Sequence, residues 1–267
     1  MPSTPQAPAG KQQRTPRERA RAQTIADIVE LGRKHLAEHG AAALSLRAVA
    51  RDLGVVSSAV YRYVGSRDEL LTLLLVDAYN DLGDAVDAAV ESVPADDFKE
   101  RFAELARAVR AWALREPARY GLLFGSPVPG YRAPAERTTA PGTRVVTSLV
   151  QILDGAHRAG THRDGAHRAG THRDGAHRVG THRPGDSAAE PAAASMPPAL
   201  AADLGAIRRE LNVGVPDVLL ARGTLVWTSL FGAVSFEVFG QYGAGTFSAP
   251  DELFEHHIAV LADLAGL

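Results

Sequence analysis

SLRAVARDLGVVSSAVYRYVGSRDELLTLLL, residues 45–75, is the stretch that decides the fold of this chain. Its apolar residues recur from Leu46 to Leu53 at the three- and four-residue spacing of one helix face, and Ser45 is placed to cap that helix. Gly54 comes next, where a glycine can take the left-handed conformation that ends a helix and turns the chain. The stretch therefore begins as a short helix followed by a tight turn.

A second short helix is predicted after this turn. Ser57 or Ser58 can cap it. A narrow apolar face is expected from Val56, Val60 and Val64. Its opposite face carries hydroxyl and guanidinium groups, which suit base edges and phosphates in the major groove. The pattern predicts a helix-turn-helix whose second helix contacts DNA bases.

Two longer helices flank this motif. Ser66 and Glu69 form the ends of an S-x-x-E capping box ahead of an apolar run, which predicts a long helix. Upstream, an apolar stripe from Ile25 to Leu36 predicts a helix that ends near Gly40. Residues 17–66 are therefore predicted to form a three-helix helix-turn-helix domain, which the long helix joins to the rest of the chain.

The segment from about Arg17 to Leu75 resembles the N-terminal DNA-binding domain of TetR-type transcriptional regulators. The matching pieces are Ala22–Leu36, Leu46–Ala50, Gly54 and, most specifically, Ser57-x3-Tyr61-Arg62-Tyr63-Val64-x-Ser66-Arg67-Asp68-Glu69-Leu70. Many members have Pro where Gly65 stands and Lys where Arg67 stands, and both changes keep the local chemistry.

The resemblance implies two sets of DNA contacts. Phosphate contacts would come from Thr24, Ser45, Arg47, Tyr61, Tyr63 and Arg67. Base contacts would come from Ser57, Ser58, Ala59 and Arg62. The alternative for Tyr61 and Tyr63 is packing between helices, and two residues that lie two apart cannot share a helix face. For Arg62 and Arg67 the alternative is a solvated helix face.

The charge distribution agrees with a double-stranded DNA partner. Residues 1–67 hold eleven Lys and Arg against five Asp and Glu, whereas the remainder is acidic. A basic domain attracts phosphates, and neutralising them supplies salt-dependent affinity. Residues 1–16 are predicted to be a disordered basic tail, which either tracks the DNA or only adds nonspecific attraction.

Residues 67–267 are predicted to form a C-terminal domain for ligand binding and dimerisation. Apolar stripes predict helices at 96–115, 142–153, 199–211, 216–242 and 251–264 and no strand, so the whole chain is predicted to be all-α. This body resembles a C-terminal domain of some TetR-type regulators that is named for a Trp-His-Gly signature. The matching pieces are Trp112, Pro117-x2-Tyr120-x3-Phe124-x2-Pro127-x2-Gly130-Tyr131 and Trp227-x3-Phe231-Gly232-x4-Glu237. Phe231 stands where the signature has His.

The second resemblance implies a homodimer through the last long helices and a small-molecule effector of apolar or aromatic character. The candidate ligand residues are Trp112, Tyr120, Phe124, Tyr131, Trp227 and Phe231. Core packing is the alternative for such aromatic side chains. Glu237 lies in an apolar run. Contact with a ligand or a dimer partner is one alternative for it, and a solvent-exposed rim position is the one that we expect.

A ten-residue repeat, DGAHR(A/V)GTHR, occurs three times in 154–183 and holds six of the ten histidines. Its frequent glycines disfavour a helix, so 154–198 is predicted to be a disordered insert. Clustered imidazoles could bind Zn²⁺ or Ni²⁺, which leaves a metal-responsive regulator or metal-binding adaptor as the alternative function. Expansion of a DNA repeat explains near-identical copies equally well, and no metal-binding residues are assigned.

Several classes of protein are disfavoured. The chain has no cysteine, which excludes disulfides and thiol nucleophiles. It shows no G-x-S-x-G, Walker or H-E-x-x-H motif, so neither an enzyme nor a cofactor is expected. No signal peptide or membrane span is predicted, so we expect a cytoplasmic protein with no membrane partner. The predicted function is a homodimeric repressor that binds a palindromic operator and is released from it by a small molecule.

Overall fold

The computed structural model describes residues 15–170 and 196–267, and for 161–170 it describes the backbone alone. Within these ranges the chain forms helices and no strand, which confirms the predicted all-α class. The helices are α1 Pro16–His39, α2 Leu46–Asp52, α3 Ser57–Tyr61, α4 Arg67–Glu91, α5 Phe98–Arg115, α6 Pro117–Phe124, α7 Ala135–Gly142, α8 Arg144–Gly170, α9 Pro198–Leu211, α10 Asp217–Val238 and α11 Pro250–Ala265, and a 3-10 turn spans Ala41–Ala43.

The described residues divide into two compact units. Unit 1 comprises residues up to Ala78 together with Pro117–Thr138, and unit 2 comprises Tyr79–Glu116 and Thr139–Leu267. This division differs from the predicted boundary between residues 66 and 67. Most of α4's first half and the whole of α6 belong with the helix-turn-helix, because their side chains pack into its core.

The core of unit 1 forms between α1, the helix-turn-helix and the first half of α4. It consists of Ile28, Val29, Leu44, Leu46, Val49, Ala50, Val60, Val64, Leu70, Leu71 and Leu74. Gly32 lets α1 approach α4 closely, because a Cβ there would lie 3.3 Å from the side chains of Leu70 and Leu74. The predicted three-helix arrangement around one small core is thus present.

The start of α1 is fixed by its own side chains. Thr15 and Glu18 form a capping box, in which each side chain bonds the backbone N–H of the other, and Pro16 is the first helical residue. The helix thus begins at Pro16, within the predicted 1–16 tail. Residues 1–14, the rest of that predicted tail, lie outside the described residues.

One carboxylate in α4 joins three helices of unit 1. Asp77 accepts hydrogen bonds from the Arg33 guanidinium of α1, with Nε to Oδ2 at 2.8 Å. It also accepts one from Arg119 of α6 at 3.0 Å. Arg119 is buried, and a buried charge is tolerated only when it is paired in this way. The pairing fixes α6 and α4 against α1.

Unit 2 is built on α5, α8, α10 and α11. The predicted stripe of α5 is buried at Phe102, Leu105, Val109 and Trp112. An ion pair joins α5 to α10 beside this core. Arg110 of α5 donates two hydrogen bonds to the Glu237 carboxylate of α10, at 2.6 and 2.7 Å. The prediction that Glu237 sits at a solvent-exposed rim is therefore wrong.

The predicted disordered insert does not begin at Asp154, because α8 continues to Gly170. The Asp154 carboxylate is buried and accepts hydrogen bonds from the Gly214 N–H at 2.7 Å and from Arg158 one turn later at 2.5 Å. Gly155 permits close packing, since a Cβ there would lie 2.6 Å from the ring of Phe98. Tertiary contacts outweigh the low helix propensity of glycine. The part of the predicted insert at 171–195 lies outside the described residues.

By length and composition, α10 is the one described helix that could cross a membrane. In the structure it packs against α5, α8, α9 and α11. A core helix of a water-soluble bundle has the same composition, so this feature alone is weak support for a membrane span.

Two glycines of α8 provide a test of this packing. Gly155→Ala should destabilise the protein by about 1–3 kcal/mol, because the added methyl group overlaps the Phe98 ring. Gly160→Ala is the matched control: nothing lies within 4 Å of its added Cβ, and alanine should stabilise the helix by up to about 1 kcal/mol. Urea unfolding measures both. Equal effects of the two substitutions would contradict the close contact at Gly155.

Candidate functional site

The helix-turn-helix of unit 1 is formed by α2, the turn at Gly54 and α3. Gly54 takes the left-handed conformation that the sequence predicts, with φ of +73°, and its N–H donates to the Arg51 carbonyl at 3.1 Å. The next N–H, of Val55, donates to the Ala50 carbonyl at 3.0 Å. These bonds satisfy the end of α2 and place α3 across it.

The start of α3 differs from the prediction. Val56 occupies the N-cap position, and neither Ser57 nor Ser58 does. Val56 was predicted to be on the apolar inner face, but 72% of its surface is exposed. Because the first residues of a recognition helix contact base edges, Val56 joins the candidate DNA-contacting residues. The sequence contains no local signal for this, since a valine that follows Val55 and precedes Ser57 by itself suggests a buried position.

The ten predicted DNA-contacting residues lie together on or beside the helix-turn-helix. Those that are exposed are Arg47, Ser58, Tyr61 and Arg62. Those that are half-buried are Thr24, Ser45, Ser57, Ala59, Tyr63 and Arg67. Their exposed parts form a polar and cationic surface above the core of unit 1.

Tyr61 and Tyr63 lie in different environments, as expected for residues two positions apart, which cannot share a helix face. Tyr63 packs against the core of unit 1, and Arg21 of α1 lies over its ring at 5.4 Å from the centroid. Tyr61 is 45% exposed. Tyr63 thus follows the predicted packing alternative in part, while Tyr61 remains accessible to a partner.

Arg67 has a role that the sequence did not indicate. Its guanidinium donates to the carbonyl oxygens of Ala41, Ala42 and Leu44 at 2.8 to 3.2 Å. Ala41 and Ala42 belong to the 3-10 turn between α1 and α2, and Leu44 follows that turn; C=O groups in such a connection have few helical partners. Arg67 therefore fixes the start of α4 to the connection that precedes α2. Because these carbonyls already engage the Arg67 guanidinium, the structure favours a role for Arg67 in positioning α2 over the predicted phosphate contact.

The first turns of α4 hold the segment that follows α6. Ser66 caps α4 by accepting from the Glu69 N–H at 3.0 Å. The Glu69 side chain does not complete the predicted capping box. Its carboxylate instead accepts hydrogen bonds from Arg137 of α7 at 2.8 and 2.9 Å. One turn later, Thr72 bonds the Tyr131 hydroxyl at 2.9 Å, and desolvation there raises the pKa of Tyr131. The segment is thus anchored at two successive turns of α4.

A buried histidine joins α1 to α2. The His35 Nε2 atom lies 2.6 Å from the Asp52 carboxylate, and this hydrogen bond lowers the pKa of Asp52. The contact fixes the end of α2, and with it the turn that presents α3. A carboxylate with a lowered pKa contributes stability above its ordinary pKa, and that contribution is lost as the pH falls through the lowered value.

The six predicted ligand residues are divided between the two units. Tyr120, Phe124 and Tyr131 lie in unit 1, where the first two rings pack at 5.0 Å between centroids. Trp112 is fully buried in unit 2 and donates to Asp81 at 2.9 Å, as a core residue does. Trp227 and Phe231 of α10 stack at 4.1 Å.

One of these residues, Trp227, lines a cavity of about 280 Å³ between α8, α9 and α10 of unit 2. Its lining consists of Thr143, Val146, Thr147, Leu149, Val150, Leu204, Ile207, Glu210, Leu211, Leu220, Gly223, Thr224 and Trp227. Most of these side chains are apolar, as in sites for small organic molecules.

A second cavity in unit 2, of about 360 Å³, has a different character. Its lining includes the charged or amide side chains of Asp87, Glu91, Arg101 and Gln151. Asp87 is engaged by Arg144 and Ser148. This polar cleft suits water better than an apolar molecule.

Two family models match the chain. The model described as bacterial regulatory proteins, tetR family, matches residues 28–74, which contain the helix-turn-helix. The model described as tetracyclin repressor-like, C-terminal domain, matches residues 102–261. The two matches together span most of the described residues.

Known proteins are similar over nearly the whole chain. The chain is 45% identical over 248 residues to the HTH-type transcriptional regulators Rv1816 of Mycobacterium tuberculosis and Mb1846 of Mycobacterium bovis, covering 91% of this chain and 94% of each relative. The solved structure of regulatory protein SCO4313 is 34% identical, with a TM-score of 0.66 over 92% of this chain and 98% of that one. A protein of unknown function from Rhodococcus sp. RHA1 shares the fold at 18% identity, with a TM-score of 0.60 over 89% and 93% of the two chains.

Two arginine-to-alanine variants separate positioning from base contact. Arg67→Ala should lower the free energy of unfolding by about 1–3 kcal/mol, because three carbonyls lose a charged donor, and should weaken binding to all DNA sequences alike. The matched control, Arg62→Ala, removes an exposed side chain and should change stability by less than about 0.5 kcal/mol. It should instead reduce discrimination between operator and random DNA by about 1–3 kcal/mol.

Urea unfolding and fluorescence anisotropy with labelled DNA give these quantities. Unchanged unfolding of Arg67→Ala, with weaker DNA binding, would restore the phosphate contact that the sequence predicted. An equal loss by Arg62→Ala on operator and random DNA would show that Arg62 only neutralises phosphate.

Proposed function

The chain belongs to the TetR family of bacterial transcriptional regulators, and from this we propose that it is a homodimeric repressor released from a palindromic operator by an apolar small molecule. Its class, a DNA-binding transcriptional regulator and not an enzyme, follows from the family. Dimerisation and response to small molecules are typical of that family. The exposed polar face of α3 beside Gly54 is the observation that carries the proposal.

We assign the base contacts to Ser57, Ser58, Ala59 and Arg62, and we add Val56. An arginine can bind guanine O6 and N7 in the major groove, and an exposed valine can contact a thymine methyl group. Phosphate contacts are proposed for Thr24, Ser45, Arg47, Tyr61 and Tyr63. Arg67 supports this surface by holding the connection that precedes α2.

A homodimer through α10 and α11 is supported by apolar side chains exposed on those helices. Val218, Leu225 and Phe236 of α10 are separated by nearly whole numbers of helical turns and lie on one face, and all three are about half exposed. Val260 of α11 is equally exposed. Apolar patches of this kind mark interaction surfaces. A twofold dimer would place two recognition helices on successive major grooves, roughly 34–36 Å apart.

We propose that the effector binds in the apolar cavity between α8, α9 and α10. An engineered cavity of about 150 Å³ binds benzene. The volume of about 280 Å³ therefore suits a molecule of two fused rings or an alkyl chain of about ten carbons. Trp227 is the predicted ligand residue that this assignment retains.

The switch is proposed to act through the chain that joins α7 to α8. Arg137 of α7 binds Glu69 in the first turn of α4, and Thr143 and Val146, a few residues later, line the cavity. A ligand that favours a different position of this chain would shift the population away from the DNA-binding conformation. A cytoplasmic location is usual for the family, and we propose it here.

The metal-responsive alternative receives no support from the described residues. Among the side chains that the structure describes, no group of three or more His, Asp or Glu residues could hold a metal ion. Of the repeat histidines, His157 has a described side chain, and the others lie outside that set.

Leu225→Glu tests the dimer. A carboxylate on the exposed face of α10 should convert the protein to a monomer, because burying an unpaired charge in an interface costs several kcal/mol. Leu200→Glu, the same change at an exposed leucine of α9, is the control and should leave the dimer intact. Sedimentation velocity gives the mass, and anisotropy gives operator affinity. A dimeric Leu225→Glu protein with normal operator binding would refute this interface.

Thr147→Phe tests the effector site. The larger side chain should fill the cavity without touching the DNA-binding unit, so operator affinity should stay within about twofold. Release of operator DNA by 1-decanol, a neutral ten-carbon probe, should occur with the unsubstituted protein and be lost in the variant. Anisotropy of an operator selected from random DNA measures both. Equal release from both proteins would place the effector elsewhere.

A further inference from the structure

The lining of the α8–α9–α10 cavity discriminates between ligands by charge, an inference that rests on the proposed effector site. We propose that this cavity rejects anionic ligands, that Glu210 is the residue responsible, and that the effector is an apolar molecule with an uncharged or cationic polar end. The chemistry of the lining, the position of Glu210 at the end of α9 and the hydrogen bonds of two lining threonines carry the inference.

No described lining residue carries a cationic side chain to pair with an anion. Among the residues that the structure describes, the lining contains no Lys, Arg or His, and its one charged side chain is the carboxylate of Glu210. A carboxylate or phosphate that enters an apolar site without a cationic partner loses its hydration with no compensation, at a cost of several kcal/mol. An uncharged apolar ligand avoids this cost.

Glu210 stands where it repels anions at little cost to the fold. It lies in the last turn of α9, and its side chain is exposed, so it remains hydrated at the cavity mouth. The C-terminal end of a helix carries partial negative charge, which adds to the carboxylate. Of the two basic residues in this last turn, Arg208 is paired with Asp217 at 2.9 Å, and Arg209, like Arg208, is not among the lining residues of the cavity.

Two threonines of the lining already use their hydroxyl protons within the protein. The Thr143 hydroxyl donates its proton to the Thr139 carbonyl at 2.9 Å, and the Thr224 hydroxyl donates to the Leu220 carbonyl at 3.0 Å. Each oxygen is then left with lone pairs only. Thr147 and Trp227, also in the lining, carry an O–H and an N–H group. A ligand hydroxyl can pair with donors and acceptors alike, and an ammonium group with the acceptors, whereas a carboxylate, which only accepts, can pair with Thr147 and Trp227 alone.

Three probes of one length test this discrimination: 1-decanol, decylamine and decanoate, titrated calorimetrically into the full-length protein at pH 7 and low salt. We expect decylamine and decanol to bind at least tenfold more tightly than decanoate. Glu210→Gln should strengthen decanoate binding about fivefold, weaken decylamine binding and leave decanol unchanged. Glu210→Lys should strengthen decanoate further. The cavity-filling Thr147→Phe should abolish all three, which locates the binding.

The outcomes separate this inference from the proposed function. Decanoate binding as tight as decanol in the unsubstituted protein, or a decanoate affinity that neither Glu210 variant raises, would overturn the charge discrimination and leave the effector site in place. Absence of binding by all three probes, or binding that persists in Thr147→Phe, would overturn the effector site and the inference with it.

Discussion

The pairing of Asp77 with two arginines is the constraint on which the DNA-binding unit depends. A single carboxylate of α4 holds Arg33 of α1 on one side and the buried Arg119 of α6 on the other. Removing that carboxylate would take an ion-pair partner from a buried guanidinium, a costlier change than losing an exposed ion pair. Three helices far apart in the chain therefore keep one relative position in unit 1.

The fixed position of these helices explains how a recognition helix as short as α3 can function. Five residues form no stable helix alone, so α3 depends on the core below it and on the contacts on either side. His35 holds the end of α2 through Asp52, and Arg67 holds the turn that precedes α2. Since buried bonds orient the motif, its exposed side chains remain available for DNA.

Sequence reasoning succeeded where a local pattern decides the structure. Helical periodicity predicted the all-α class, and Gly54 marked the turn because only a residue without a Cβ adopts its conformation at no cost. It failed where partners lie far along the chain. The Glu69 side chain bonds Arg137 and leaves its capping box incomplete, and Gly155 lies within a helix and packs against Phe98. Neither periodicity nor spacing encodes such contacts.

The sequence by itself determined the class of protein, since the spacing from Ser57 to Leu70 is specific and depends on local helix geometry. Only the tertiary structure decided which polar residues are available for a partner and which hold the fold. In the structure Arg67 donates to backbone carbonyls and Arg110 binds Glu237. Trp112 donates to Asp81, whereas Trp227 lines a cavity. The physical reason is that a side chain's role depends on the groups within a few ångströms of it, and these come from distant parts of the chain.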